Sequence, residues 1–228
     1  MKSIFKWLFR LLLLAVVLVV ILLLSLDTIL RVVIQNRIRV QTGMDAEIGK
    51  FTLGLVEPVI TIKDFKLFNP PNFDGTPFLD IKEVHAEYDR DALKKGELHV
   101  TLLRFNLAEL DIVKNEAGQT NIFSIATLPS VKKSGGKGKS FSAQTGMVFS
   151  GIDELNVSIG KAKFIDLKDQ HNNREQVIGI ENCVMKDVKA PTDLGGLALL
   201  VALRSGDFFG SLVDPKNSSS GLLQFLDK

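Results

Sequence analysis

Val59–Phe68 reads VITIKDFKLF. Apolar and polar side chains alternate along it, and β-branched and aromatic residues are frequent, which marks a β-strand with one wet face. The same period of two runs outward from it. Upstream, from Asp45, it is carried by Ile48 and then by Leu53 and Leu55. Downstream, Asn69-Pro70-Pro71 breaks the strand and Asp74-Gly75 turns it. Phe78–Tyr88 resumes with Leu79 and Ile81, then continues with Val84, Ala86 and Tyr88 in the opposite phase. That switch predicts a bulge near Lys82-Glu83. Asp91–Gly96 is one helical turn with Asp91 at its N-cap. Two strands follow, Leu98–Leu107 and Leu110–Lys114, and Asn115–Gly118 is a hairpin loop with its glycine in the left-handed position.

Residues 129–146, PSVKKSGGKGKSFSAQTG, are nearly free of large apolar side chains and read as a flexible linker or long loop. Gly138-Lys139-Ser140 is no phosphate loop, because that motif needs a glycine where Lys133 stands. Strand periodicity returns at Leu155, Val157 and Ile159. Gly160 interrupts it, Ile165 and Leu167 resume it, Gln170–Glu175 is a polar hairpin tip, and Val177–Val188 is a further strand or pair of strands. The segment from Leu110 to Asn115 resembles that from Phe164 to Asp169, a sign of an internal β repeat. Gly195–Arg204 is a short apolar helix that caps the sheet. Asp214–Gly221 is a linker, and Leu222, Leu223, Phe225 and Leu226 form an apolar tail.

The N-terminal part is of another kind. Leu11–Leu26, LLLLAVVLVVILLLSL, has no polar face. As a helix it spans roughly 24 Å, and Trp7, Leu8 and Phe9 extend it toward the ~30 Å of a bilayer core. Arg10 is placed to snorkel to the headgroups. The run is longer than a signal-peptide core and ends in Leu24-Ser25-Leu26 without an A-x-A-like site, which favours an uncleaved anchor. Lys2, Lys6 and Arg10 put the N-terminus in the cytoplasm. Residues 29, 30, 33, 34 and 38 then form a helical stripe that ends at Gly43.

The chain has 28 basic and 26 acidic residues, net +2. Residues 1–39 hold six basic side chains and one acidic, so residues 40–228 carry 22 basic against 25 acidic. An exported domain with that balance is not a polyanion binder, and nucleic acid is excluded as a main partner. Cys183 is the only cysteine, so no intrachain disulfide forms. His85, His99 and His171 share no ligand spacing, and no metal or cofactor is expected. Asp89 with Asp91, and Glu109 with Asp111, read as solvent-facing or capping pairs. No hydrolase, zinc or nucleotide fingerprint is present, and the chain reads as a non-enzyme.

Taken together, Thr42-Gly43, Ile48–Gly54 (IGKFTLG), Ile60–Pro70 (ITIKDFKLFNP), Asp89–Leu93 with Gly96, and Ile112–Glu116 with Gly118 and Asn121 form a recognisable series after a basic start and one apolar helix. The chain resembles the N-terminal region of the bacterial AsmA-like family. It is similar in architecture to the chorein-type start of bridge-like lipid-transfer proteins. The resemblance covers residues 1–125 and, more loosely, 147–192. It implies a single-pass inner-membrane protein with its bulk in the periplasm, associated with phospholipid movement and outer-membrane maintenance. It departs from the family's bridges in length: about ten strands at ~4.8 Å spacing make a groove of only about 50 Å.

The expected fold is therefore mainly β with an N-terminal transmembrane helix: an elongated antiparallel curved sheet forming an open groove, with short capping helices. The expected segments are a basic tail (1–10), the anchor (11–30), an amphipathic extension (31–43), a β domain (44–128), a linker (129–146), the rest of the sheet (147–192) and a helical tail (193–228). Groove-lining candidates are Ile60, Ile62, Ile81, Leu98, Val100, Leu110, Ile112, Leu155 and Val157. The anchor is marked by Trp7, Arg10, Leu11 and Leu26. Two functions fit. One is a module that handles membrane phospholipid. The other is a non-catalytic scaffold of an envelope complex that recruits a protein partner by sheet-edge pairing.

Overall fold

The computed structural model describes Leu14, residues 25–54, 56–122 and 146–206, and Phe208. The anchor residues Trp7, Arg10 and Leu11 lie outside these, as do most of the apolar run, the larger part of the 129–146 linker and the tail beyond Phe208. Among the described residues no helix is long and apolar enough to cross a membrane.

Residues 25–42 form helix α1, which includes Leu26 and ends where Gly43 N–H donates to Arg39 O at 2.9 Å. Six strands follow: β1 (Ala46–Leu53), β2 (Val59–Phe68), β3 (Pro77–Tyr88), β4 (Glu97–Lys114), β5 (Val148–Asp166) and β6 (Arg174–Val188). Helix α2 (Arg90–Lys94) joins β3 to β4, and helix α3 (Gly195–Ser205) follows β6. The strands lie in one sheet in chain order.

Four expectations need correction. The sheet is not wholly antiparallel, because β4 and β5 run parallel, from Glu97↔Val148 to Lys114↔Asp166. Their connection is over thirty residues long, and parallel neighbours need a long crossover of this kind. Period two is the same in both orientations, so the pattern alone did not separate them. The described residues hold six strands in place of about ten, and at ~4.8 Å spacing the sheet is about 24 Å across. Leu98–Leu107 and Leu110–Lys114 are a single strand, as are the stretches on either side of Gly160. In α2 the N-cap is Asp89, whose carboxylate accepts from Asp91 N and Ala92 N, with Asp91 already in the first turn.

What joins the half-strands is a row of irregularities across the sheet. Ile81 pairs with Phe65 on one side and Leu107 on the other, and in the β3–β4 ladder the register slips both before and after it. In β3 the apolar positions are Leu79 and Ile81, then Val84 and Ala86. In β2 they are Ile60 and Ile62, then Phe65 and Leu67. In β1 they are Ala46 and Ile48, then Phe51 and Leu53. In β4 they are Phe105 and Leu107, then Leu110 and Ile112. In β5 they are Val157 and Ile159, then Ala162 and Phe164. In β6 they are Ile178 and Ile180, then Cys183 and Met185. Every strand changes phase, and the pairings keep these residues opposite one another: Ile48↔Phe65, Ile62↔Val84, Leu110↔Ala162 and Val157↔Cys183.

The chain is built for this row. Asp64 sits at φ +51 and Asn182 at φ +48, conformations that aspartate and asparagine tolerate better than most residues. A Cβ on Gly160 would collide with the Ala108 carbonyl, so β4 and β5 approach closely only because residue 160 is glycine. The bulge predicted at Lys82-Glu83 is thus one member of a six-strand series.

Both sheet edges are held by an arginine from a helix. Arg31 of α1 donates from Nη1 to Gly49 O at 3.0 Å and to Ile48 O at 3.5 Å. Arg204 of α3 donates from Nη1 to Gly179 O at 2.9 Å and to Ile178 O at 3.5 Å. Asp27 Oδ1 accepts from Leu53 N–H at 3.3 Å, which runs α1 along β1. The exposed main-chain groups of an edge strand are an invitation to pairing, and here they are occupied at mid-strand.

Candidate apolar ligand face

One side of the sheet, the front, collects the apolar residues. The back is polar and ionic. Lys63 and Arg104 flank Glu83 at 3.4 and 3.6 Å. Glu109 takes Lys163 at 2.6 Å and Lys161 at 3.1 Å, and Lys161 also reaches Glu175 at 3.3 Å. Despite its burial, Glu109 is held below the usual carboxylate range by hydrogen bonds from these two lysines. Asp111, beside it, is the opposite case. Burial pushes its carboxyl up to about 7, with the Glu109 charge adding to the effect. Its Oδ1 is buried and has no hydrogen-bond partner among the described residues.

All nine groove candidates lie on the front. Ile60, Ile62 and Ile81 are on β2 and β3. Val100 pairs with Tyr88 and Ile152, and Leu98 precedes it by two residues on the same side. Leu110, Ile112, Leu155 and Val157 complete the set on β4 and β5. The front divides into two zones. Over β4–β6, α3 closes it: Leu197, Leu200 and Val201 pack with Ile112, Ala162, Phe164, Ile178 and Ile180. Leu155, Val157 and Val188 form the adjoining cluster with Ile152 and Met185. Ile112, Leu155 and Val157 are therefore interior residues. Over β2 and β3, Ile81 is buried, whereas Ile60, Ile62, Phe65, Leu67, Leu79, Val84 and Ala86 are only half-buried. Side chains of that kind, fully covered, would each contribute about 1.5–3 kcal/mol.

The far end of the sheet is fastened by polar groups. Asn121, fully buried, accepts from Val113 N–H and Ile122 N–H and donates to Asp111 O and Asn69 Oδ1. Asn69 in turn holds Thr76 Oγ1 and Pro77 O. Phe73, in the β2–β3 turn, is wholly buried there. The Asn115–Gly118 loop closes as expected, with Gly118 N–H on Asn115 O at 2.9 Å.

The three histidines lie apart. His85 bridges Thr61 and Glu87. His171 contacts Asp169 at the hairpin tip. His99 sits between Ser150 (Nδ1, 3.2 Å) and Asp153 (Nε2, 3.1 Å), a grouping hidden in the sequence by separations of 51 and 54 residues. The Ser150 hydroxyl lies within reach of both His99 Nδ1 and Leu98 O, at 3.2 and 3.3 Å, and which of the two it donates to follows the imidazole tautomer. No cluster of metal-binding side chains occurs among the described residues.

No family model, curated protein or solved structure matches the chain. What it does must be argued from the face itself.

Proposed function

We propose that the front face is a lipid-handling surface. In this reading the chain is a non-catalytic, AsmA-like module anchored by residues 11–30 in a bacterial inner membrane, with its sheet in the periplasm and phospholipid acyl chains lying over β2 and β3. The observation that carries it is the six-strand phase change. Each strand shifts independently by one position, yet all six keep apolar residues on the same side, and over β2 and β3 most of that side is only half-buried among the described residues. A surface so consistently apolar, with a half-buried stretch over β2 and β3, fits an apolar ligand. Burying about ten methylenes there is worth roughly 8 kcal/mol before the cost of ordering the chain.

The half closed by α3 supports the second reading, a scaffold of an envelope complex, because there the face is filled by the chain's own core. With both edges occupied at mid-strand, a protein partner would add to the sheet only near the strand ends. The test is to purify the full chain in a neutral detergent and weigh it by native mass spectrometry. Phospholipid retained at a fixed stoichiometry supports the lipid reading. A bare protein rejects it and leaves the scaffold.

A further inference from the structure

The apolar front ends in charge at the tip of β4–β6. Lys114, on β4, meets Asp166, on β5, at 3.3 Å, and the two neutralise each other. Two residues back along β5, Phe164 pairs in register with Arg174, the first residue of β6. Arg174 thus lies on the front, over a ring that is part of the α3-covered core. Its guanidinium stands 5.6 Å from the Phe164 centroid. That contact holds the cation in place without neutralising it. No carboxylate lies within ion-pair distance of it among the described residues, since the neighbouring Glu175 is taken by Lys161.

A cavity of about 480 Å³ opens beside it, between the start of β6 and the end of α3. Arg174, Glu175, Gln176, Arg204 and Ser205 are its polar walls, with the Glu175 carboxylate paired to Lys161, and Leu203 and Phe208 its apolar ones. Arg204 uses Nη1 for the β6 carbonyls. It too lacks a carboxylate partner among the described residues. Two guanidinium groups beside apolar side chains, at the end of an apolar face, select for an anion joined to a hydrocarbon chain. Arginine suits this role because its fork matches phosphate and carboxylate oxygens.

We infer that the cavity between β6 and α3 is a head-group site for a singly anionic amphiphile, with Arg174 and Arg204 taking the phosphate or carboxylate and Leu203 and Phe208 the first methylenes. The inference rests on the lipid reading of the chain and adds to it a separate polar address at the β6 edge, across the α3-covered zone from β2 and β3. Arg174 is the discriminating residue, because it has no part in holding the β6 edge.

Native mass spectrometry of the full chain, released from neutral maltoside micelles, tests it with three probes: dodecyl phosphate, dodecanol and inorganic phosphate. Dodecyl phosphate is expected to bind, with Arg174→Gln weakening it about tenfold and Arg174→Lys restoring part of the loss. Dodecanol is expected to bind more weakly than dodecyl phosphate, and equally to wild type and variant. Equal binding of dodecyl phosphate and dodecanol to the wild type, or no change in Arg174→Gln, overturns the head-group site while leaving the apolar face intact. Inorganic phosphate binding as tightly as dodecyl phosphate overturns it in favour of a simple anion site. Failure of both amphiphiles overturns the lipid reading and this inference together.

Discussion

Asn121 donates from Nδ2 to Asn69 Oδ1 across 2.9 Å, and both side chains are buried. This contact ties the β2–β3 turn to the end of β4, 52 residues along the chain. Four hydrogen bonds converge on Asn121, so Asn121→Ala takes this partner from the Val113 amide, the Asp111 carbonyl and Asn69 Oδ1. The expected loss is roughly 3 kcal/mol or more. Asn121→Asp keeps the acceptors but sets a charge against Asn69 Oδ1, and should cost at least as much. Unfolding followed by circular dichroism measures both. A melting curve unchanged in either variant would mean that this knot does not hold the turn.

Asp111 predicts an unusual pH response. Its folded carboxyl is raised to about 7 from an ordinary 3.8. Between those values the folded state holds a proton that the unfolded chain has released. Its contribution to stability is therefore full at low pH and falls as pH rises from about 4 through 7. Glu109 and Asp166 shift the other way and gain with rising pH, so the comparison has to be made against a variant. For Asp111→Asn, the wild-type loss between pH 5 and 8 should vanish and the variant should be the more stable at pH 8. A variant that tracks the wild type across that window would contradict the assignment.

The matched arginines make a prediction about edges. Arg31→Ala and Arg204→Ala should each cost on the order of 1–2 kcal/mol, the range of a hydrogen bond from a charged donor. Hydrogen exchange should quicken locally, in β1 for the first and in β6 for the second. The double variant, with both edges released, should associate in a concentration-dependent manner in light scattering. A double variant that stays monomeric would show that the edges are protected by something else.

Gly160→Ala tests the row of irregularities. Its Cβ has no room against the Ala108 carbonyl, so the expected destabilisation is about 2–3 kcal/mol. Ala162→Gly, two residues on in the same strand, removes a methyl without a collision and serves as the comparison. Equal effects would argue against close approach as the reason for the glycine.

Much of the sheet was legible because β2, β3 and β6 alternate over long enough runs to give period two. The phase change was visible only in β3, where Ile81 and Val84 are both large and the intervening residues both charged. Elsewhere it was masked: Gly160 read as an interruption and Leu107–Leu110 as a gap between strands. The parallel pairing of β4 and β5 carried one hint, the likeness of Leu110–Asn115 to Phe164–Asp169. These segments turn out to lie side by side, with Ile112 opposite Phe164. The roles of Arg31 and Arg204 could not be seen in the sequence because their partners are main-chain carbonyls, which leave no trace in a side-chain pattern. Arg174 was counted with a polar hairpin tip, and only the register shows that it faces Phe164.

The central claim is that the front over β2 and β3 holds acyl chains. Ile62 stands on that open floor, Thr61 on the opposite side of the same strand, and Val157 in the closed core. The decisive measurement is the phospholipid retained per chain, by native mass spectrometry, in wild type, Ile62→Asp and Thr61→Asp, with Val157→Asp as the control that should unfold. The account predicts lipid on the wild type and Thr61→Asp, and a folded Ile62→Asp that has lost it. Ile62→Asp that folds and keeps the same lipid, or a wild type that carries none, would contradict it.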